Sequence, residues 1–312
     1  MGRRSHTQAL GLWMNGAFVG TWSLSPQTGD VLAYAPTWVA SAEQGRPLSL
    51  SLPFLPGGAV HRGATVRAYF ENLLPDSDAI RGRIARRYRT PSTDAFDLLG
   101  EIGRDCVGAL QVLPDGRTPA GVQPVQATPL SDAAVAQILR ATVTPSALGV
   151  GGDEDEFRIS IAGAQEKTAL LRYEGRWCLP HGDTPTTHIF KLPLGLVGGM
   201  QYDMSDSVEN EWLCSLVLKA YGLPVAACEP LQFENMKVLA VERFDRAWAQ
   251  APEGDQRLIR LPQEDMCQAK GVAPTLRYES DGGPGIDSIM DVLAGSSNRE
   301  EDRRNFFKAQ LV

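Results

Sequence analysis

RISIAGAQEKTALL, residues Arg158 to Leu171, reads as a strand, a tight turn and a second strand, with one glycine and a Glu-Lys pair at the bend. Backbone amides on such a turn are able to cradle a phosphate. An ordinary surface hairpin has the same outline, so the rest of the chain has to decide between them.

A Walker A loop, G-x-x-x-x-G-K-[ST], is excluded. Lys167-Thr168 match its end, but Glu166 and Ile161 stand where its glycines belong, and TALLRY reads as strand where that motif needs a helix. The dinucleotide pattern G-x-G-x-x-G fails too, because Gly163 stands alone. A protein-kinase arrangement fits better. It needs a turn over the phosphates, a lysine on a later strand, a glutamate on the next helix to hold that lysine, and a hinge strand for the adenine. Here the turn is Ala162-Gly163-Ala164-Gln165, the lysine is Lys191 closing His188-Ile189-Phe190-Lys191, and the glutamate is Glu211 or Glu209. The hinge falls at Val241-Glu242-Arg243-Phe244. Taken singly these residues are ordinary: a lysine at a strand end is commonly a solvated edge charge, and a helical glutamate a polar face. Their order and spacing carry the reading.

Upstream, ALGLWMNGAFVGTWSL predicts a hairpin with a type I′ turn at Asn15-Gly16. LAYA and PLSLSLPF predict strands, the second from its Leu/Ser alternation. VRAYFENLLP, DAIRGRIARRY and TDAFDLLGEIG predict helices, and VGALQVL a strand. DGRTPAGVQPVQATPLS reads as a linker, with a helix capped at Ser131-Asp132 after it. The strongest helix is SDSVENEWLCSLVLKAYG, with Val208, Trp212, Leu213, Leu216 and Val217 as its expected packing face and Gly222 as its stop. KTALLRY, WCLP, THIFKLP and KVLAVERF predict the strands of an antiparallel lobe around it.

Composition narrows the function. The 312 residues are 43% hydrophobic and 21% charged, as in ordinary globular domains. No apolar run reaches the length of a membrane span, and MGRRSHTQAL is not followed by a secretory core. The net charge of −7 argues against coating nucleic acid by charge alone. The local exception is Arg81, Arg83, Arg86, Arg87 and Arg89, which suits either a solvated helix face or a docking patch. Cys106, Cys178, Cys214, Cys228 and Cys267 have no CxxC spacing and read as reduced thiols; the four histidines form no zinc motif.

Long ordered stretches of the chain also resemble the HipA family, the Ser/Thr kinase toxins of bacterial type II toxin–antitoxin modules. They are ENLLPDS (71–77), FDLLGEIGRDCVGAL (96–110), FRISIAGAQEKTALL (157–171), TPTTHIFKLP (184–193), LAVERFDR (239–246), RLPQEDMCQ (260–268) and YESDGGPGI (278–286). The resemblance implies an α+β, protein-kinase-like (HipA) fold: a mixed α/β subdomain over 1–115, a linker and ATP-binding lobe over 116–244, and the start of a C-lobe over 245–312. It implies ATP held by Ala162, Gly163, Ala164, Gln165, Glu166, Lys167 and Lys191, with Glu242, Arg243 and Phe244 at the adenine. Ser160 falls where the family carries an autophosphorylated serine, and two added charges there would repel the ATP phosphates. The implied partners are a HipB-like helix-turn-helix antitoxin, operator DNA through that complex, and an aminoacyl-tRNA synthetase as substrate, all in the bacterial cytoplasm.

One departure accompanies the resemblance. The family's Asp-Gly-His-x-x-Asn catalytic loop and its later magnesium-binding aspartate do not occur before Val312. Mg2+ belongs to the family's chemistry, but its ligands are not found here, and Asp265, Asp287 and Asp291 read as helix caps or surface. The expectation is therefore a chain inactive in phosphoryl transfer as it stands, with an incomplete C-lobe. The rivals are a non-catalytic antitoxin-binding module and an unrelated ATP-dependent ligase, which would leave Lys191 and Glu211 far apart.

Overall fold

The computed structural model describes residues 8–143, 163, 165–197, 200–250 and 255–312. The N-terminal unit is a five-stranded antiparallel sheet in the order β4-β3-β2-β1-β5. Its strands are β1 (Gln8–Met14), β2 (Ala17–Ser25), β3 (Gly29–Tyr34), β4 (His61–Arg62) and β5 (Leu110–Pro114). Asn15 and Gly16 take φ of 48° and 86°, the left-handed values the Asn-Gly turn requires. Helices α1 (Pro36–Val39), α2 (Ala64–Glu71), α3 (Asp78–Tyr88) and α4 (Ala95–Ile102) accompany the sheet. Trp22 stacks on Phe70 with ring centroids 3.8 Å apart and meets the edge of Phe96 at 4.8 Å. Burying each such aromatic contributes roughly 1.5–3 kcal/mol, so this sheet–helix seam anchors the unit.

PLSLSLPF is not a strand. Leu48 and Leu52 are buried while Leu50 is 65% exposed, a spacing of four, not two. The Ser51 amide donates to the Ser49 hydroxyl at 3.1 Å, and both hydroxyls donate to the Gln268 carbonyl, at 2.9 and 2.6 Å. Serine hydroxyls that bond local backbone compete with a strand ladder, and here they win.

The second unit is a six-stranded antiparallel sheet in the order β12-β13-β9-β7-β8-β6. It comprises β6 (Ala127–Pro129), β7 (Lys167–Tyr173), β8 (Arg176–Pro180), β9 (His188–Lys191), β12 (Cys228–Phe233) and β13 (Met236–Glu242). The short pair β10 (Gly195–Val197) and β11 (Tyr202–Met204) lies between β9 and α6 (Ser207–Ala220). Helix α5 (Asp132–Val143) buries Val135, Ala136 and Leu139 against Leu170, Phe190, Val238 and Ala240. The linker's end thus becomes an edge strand, and the helix expected after Ser131-Asp132 packs into the core.

The packing face of α6 differs from the expected one. Val208 is buried, but Leu213, Leu216 and Val217 are 57%, 43% and 41% exposed. Val208 and Trp212 of the expected face do lie on the less accessible stripe, with Glu211, Ser215 and Leu218, at helical spacing. Its members touch the sheet, as where the Cys228 thiol lies 3.1 Å from the Ser215 hydroxyl. The face turned to the sheet therefore mixes apolar and polar residues and leaves Leu213, Leu216 and Val217 outward.

Beyond the sheet, β14 (Arg246–Gln250) and β15 (Gln256–Arg260) form a hairpin, followed by α7 (Met266–Lys270), α8 (Ile286–Leu293) and α9 (Arg299–Ala309). Asp265 is the N-cap of α7, in a reciprocal capping box with Gln268. The two units are joined by buried polar contacts. Asn15 donates to the Arg260 carbonyl at 2.9 Å and accepts from the Arg260 amide at 3.0 Å, and the Gly108 amide donates to Asp245 at 2.6 Å.

Candidate functional site

Lys191 ends β9 directly opposite Lys167, the first residue of β7, in the antiparallel register. Like charges in that relation repel, and this placement is unfavourable without nearby anions. One anion is supplied by α6: the Lys191 ammonium forms an ion pair with Glu211. Glu209, the other lysine partner considered from sequence, is turned away and pairs with Lys237 at 2.7 Å. The i, i+3 stripe that buries Val208 carries Glu211 inward, and Glu209 is off that stripe.

Burial, then the neighbouring Lys191, lowers the Lys167 pKa to about 8, with Asp76 and Glu211 opposing and Arg277 adding to the shift. Three cations (Lys167, Lys191, Arg277) thus share this corner with two carboxylates, Glu211 and Asp76. A surplus of positive charge at the end of two strands suits an anionic ligand.

The turn residues lie against this corner. Gly163 has φ 112°, which only glycine adopts readily, and a Cβ there would meet the Lys167 ammonium at 2.5 Å. The Gln165 side-chain Nε2 donates to the Leu192 carbonyl, and the Leu192 backbone amide donates to the Glu166 carbonyl at 3.1 Å. The Glu166 carboxylate forms an ion pair with Arg83 of α3. Ser160, Ala162 and Ala164, along with the first strand of the opening hairpin, lie outside the described residues.

The hinge segment is only partly available. The Glu242 amide donates to the Ala227 carbonyl, and the Arg243 amide to the Thr187 carbonyl, both at 2.8 Å. The Arg243 side chain is buried in an ionic cluster and points away from the lysines' end of the sheet. Glu242 and Phe244 of this segment are both exposed, Phe244 at 69%.

That cluster went unnoticed in the sequence. Asp105 accepts from Arg246 at 2.7 Å, Arg243 at 3.1 Å, Arg260 at 3.2 Å, and the Thr186 hydroxyl at 2.7 Å. Burial alone would raise its pKa, but Arg246, Arg243 and Arg260 hold it well below the usual carboxylate range. Its members come from residues 105, 186, 243, 245, 246 and 260, so no local pattern announces it. The arginine run of α3 is also resolved: Arg81 bonds Glu71 and Arg83 bonds Glu166, whereas Arg86, Arg87 and Arg89 are exposed. Among the described residues no group of three or more His, Cys, Asp or Glu side chains is gathered as for a metal ion, and no helix is long and apolar enough to cross a membrane.

This lysine–glutamate corner sits in a chain that two family models match: the HipA N-terminal domain over residues 10–113 and the HipA-like C-terminal domain over residues 159–312. The chain belongs to the HipA family. A relative named "Putative kinase Y4mE", from Sinorhizobium fredii, is 34% identical over 296 residues, covering 94% of this chain and 66% of the relative. The "Serine/threonine-protein kinase toxin HipA" of Shewanella oneidensis is 28% identical over 273 residues, 86% of this chain and 57% of the toxin. This HipA-family chain therefore spans about two thirds of the first relative and somewhat over half of the second. The fold is α+β and protein-kinase-like. It superposes with a TM-score of 0.72, at 24% identity, on a chain from the Shewanella oneidensis complex of HipA, HipB and operator DNA, covering 97% of this chain and 68% of that one.

Proposed function

We propose that this chain is the nucleotide-binding part of a HipA-type Ser/Thr protein kinase toxin. Residues 1–115 are its N-terminal subdomain, 116–244 its linker and ATP lobe, and 245–312 the opening of its second lobe. The observation that carries the reading is the Lys191–Glu211 ion pair between β9 and α6, set beside Gly163 and Lys167. That arrangement positions a lysine against phosphate oxygens while a helical carboxylate fixes its direction. An unrelated ligase hairpin gives no reason for it.

In this reading the turn through Gln165 and Glu166 covers the ATP phosphates, and Lys167 and Lys191 neutralise them. Adenine recognition falls to the Phe244 end of the hinge, because the amides of Glu242 and Arg243 already serve the sheet. Mg2+ accompanies ATP in kinases and spreads the phosphate charge; among the described residues the carboxylates do not form a cage for it. Ser160 is the position proposed for autophosphorylation. The proposed partners are a HipB-like antitoxin, operator DNA reached through that antitoxin, and an aminoacyl-tRNA synthetase as substrate, in a cytoplasmic setting. They rest on family membership and on the content of the Shewanella complex.

Equilibrium binding of a fluorescent ATP analogue to the purified chain, competed with ATP, tests the nucleotide reading. Saturable binding that weakens about tenfold or more in Lys191→Ala is expected, since one lost phosphate contact is worth about 1.4 kcal/mol or more. Absence of competition by millimolar ATP, or equal affinity in Lys191→Ala, would overturn it.

A further inference from the structure

The predicted phosphate turn is held from outside its own lobe. Pro75 makes a parallel bridge with Gly163, and the Asp76 amide donates to the Gly163 carbonyl at 3.3 Å. Three residues on, the Glu166 carboxylate is taken by Arg83 of α3. Both contacts come from one short stretch of the N-terminal unit, residues 75 to 83.

That stretch is itself braced. The Arg81 guanidinium donates to the Pro75 carbonyl at 2.6 Å and to Glu71 at 2.6 Å, tying the start of α3 to the end of α2. Ser77 caps α3 by accepting from the Ile80 amide at 3.4 Å. The Asp76 carboxylate is in turn held by both guanidinium nitrogens of Arg277, the second at 2.8 Å. A bidentate arginine–carboxylate pair fixes orientation as well as distance. The turn thus leans on a segment that Arg81 anchors on one side and Arg277 on the other.

We propose that Arg83, with the Pro75-Asp76 segment, is a positioning clamp for the phosphate turn, so that the N-terminal unit sets how well the ATP lobe holds nucleotide. This rests on the nucleotide reading above. Arg83 acts in two ways. It fixes the Glu166 end of the turn while Asp76 fixes the Gly163 end. It also neutralises a carboxylate that would otherwise sit one residue from Lys167 and repel the phosphates. Arg83 touches no nucleotide in this proposal; it works through Glu166.

Charge reversal tests the clamp with two readouts. Arg83→Glu, Glu166→Arg and the double exchange are compared, with Arg87→Glu, an exposed arginine on the same helix, as control. Hydrogen exchange of amides in 165–171 is followed without nucleotide, and ATP affinity is measured separately. Expected are at least fivefold faster exchange and at least fivefold weaker ATP binding in Arg83→Glu, no change in Arg87→Glu, and recovery to within threefold in the double exchange. Unchanged exchange in Arg83→Glu, or a double exchange no better than Arg83→Glu, overturns the clamp. Arg83 is partly buried, so melting of the N-terminal core, followed by tryptophan fluorescence, controls for folding. If the unaltered chain fails to bind ATP, the nucleotide reading falls, and the exchange measurement still decides whether Arg83 holds the turn.

Discussion

Replacing Asp105 by asparagine keeps the shape of the side chain and removes its charge from the middle of the ionic cluster. In the intact protein Arg243, Arg246 and Arg260 face the carboxylates of Asp105 and Asp245. Asp105→Asn leaves three buried guanidinium groups against Asp245 alone, and the side chains of Arg243 and Arg246 are only 1% and 2% exposed. Removing one partner from a buried ionic network costs about 3–5 kcal/mol, because the remaining charges lose compensation in a low-dielectric setting. With a urea dependence near 3 kcal/mol/M, the unfolding midpoint falls by about 1–2 M. The pH dependence gives an independent check. Asp105 titrates well below an unfolded aspartate, so its contribution is complete above pH ~4 and is lost as pH falls through its folded value. The midpoints of the two proteins therefore differ most near neutrality and converge in acid. Tryptophan fluorescence in urea from pH 7 to pH 2.5 measures both. A midpoint shift under about 0.3 M, or a gap that stays constant with pH, would refute the reasoning. Because Arg243 lies between Glu242 and Phe244, the variant also loosens that segment, which hydrogen exchange reports.

Three further outcomes follow from the lysine corner. Glu211→Gln weakens ATP binding several-fold by releasing Lys191, while Glu209→Gln, which loses only an exposed pair with Lys237, leaves it within twofold; equal effects in a competition assay would contradict the geometry. Lys167 has its pKa lowered to about 8, so its charge is lost as pH rises through that value and its attraction for phosphate goes with it. ATP affinity should decline by roughly tenfold between pH 7.5 and 9.5, with the midpoint displaced upward by bound phosphate, and Lys167→Arg should flatten the profile. The lowered value also means that folding disfavours the charged form below pH 8. Lys167→Met is accordingly more stable than the unaltered chain at pH 7, with the advantage fading towards pH 10.5.

Much of this was legible in one dimension. The Asn15-Gly16 turn, the α2–α4 helices and the strands β7, β8, β9 and β13 follow from local periodicity and turn chemistry, which act over a few residues and need no partner, whereas β10, β11 and β12 carried no such signal. The pairing of Lys191 with a glutamate of the next helix was legible too, because strand and helix follow one another closely in the chain. Other features were decided only in three dimensions. Glu211 and not Glu209 reaches Lys191 because the sheet fixes how α6 is rotated, and that rotation exposes Leu213 and Leu216 against their apolar pattern. Ser49 and Ser51 abandon a strand because Gln268, more than 200 residues later, offers its carbonyl. Arg83 and Asp105 look like surface charges in sequence, and each acquires its role from a residue in the other unit. Local propensity is set by near neighbours. Charge pairing and helix rotation are set by whatever the folded chain brings alongside, and that information is not in any short stretch.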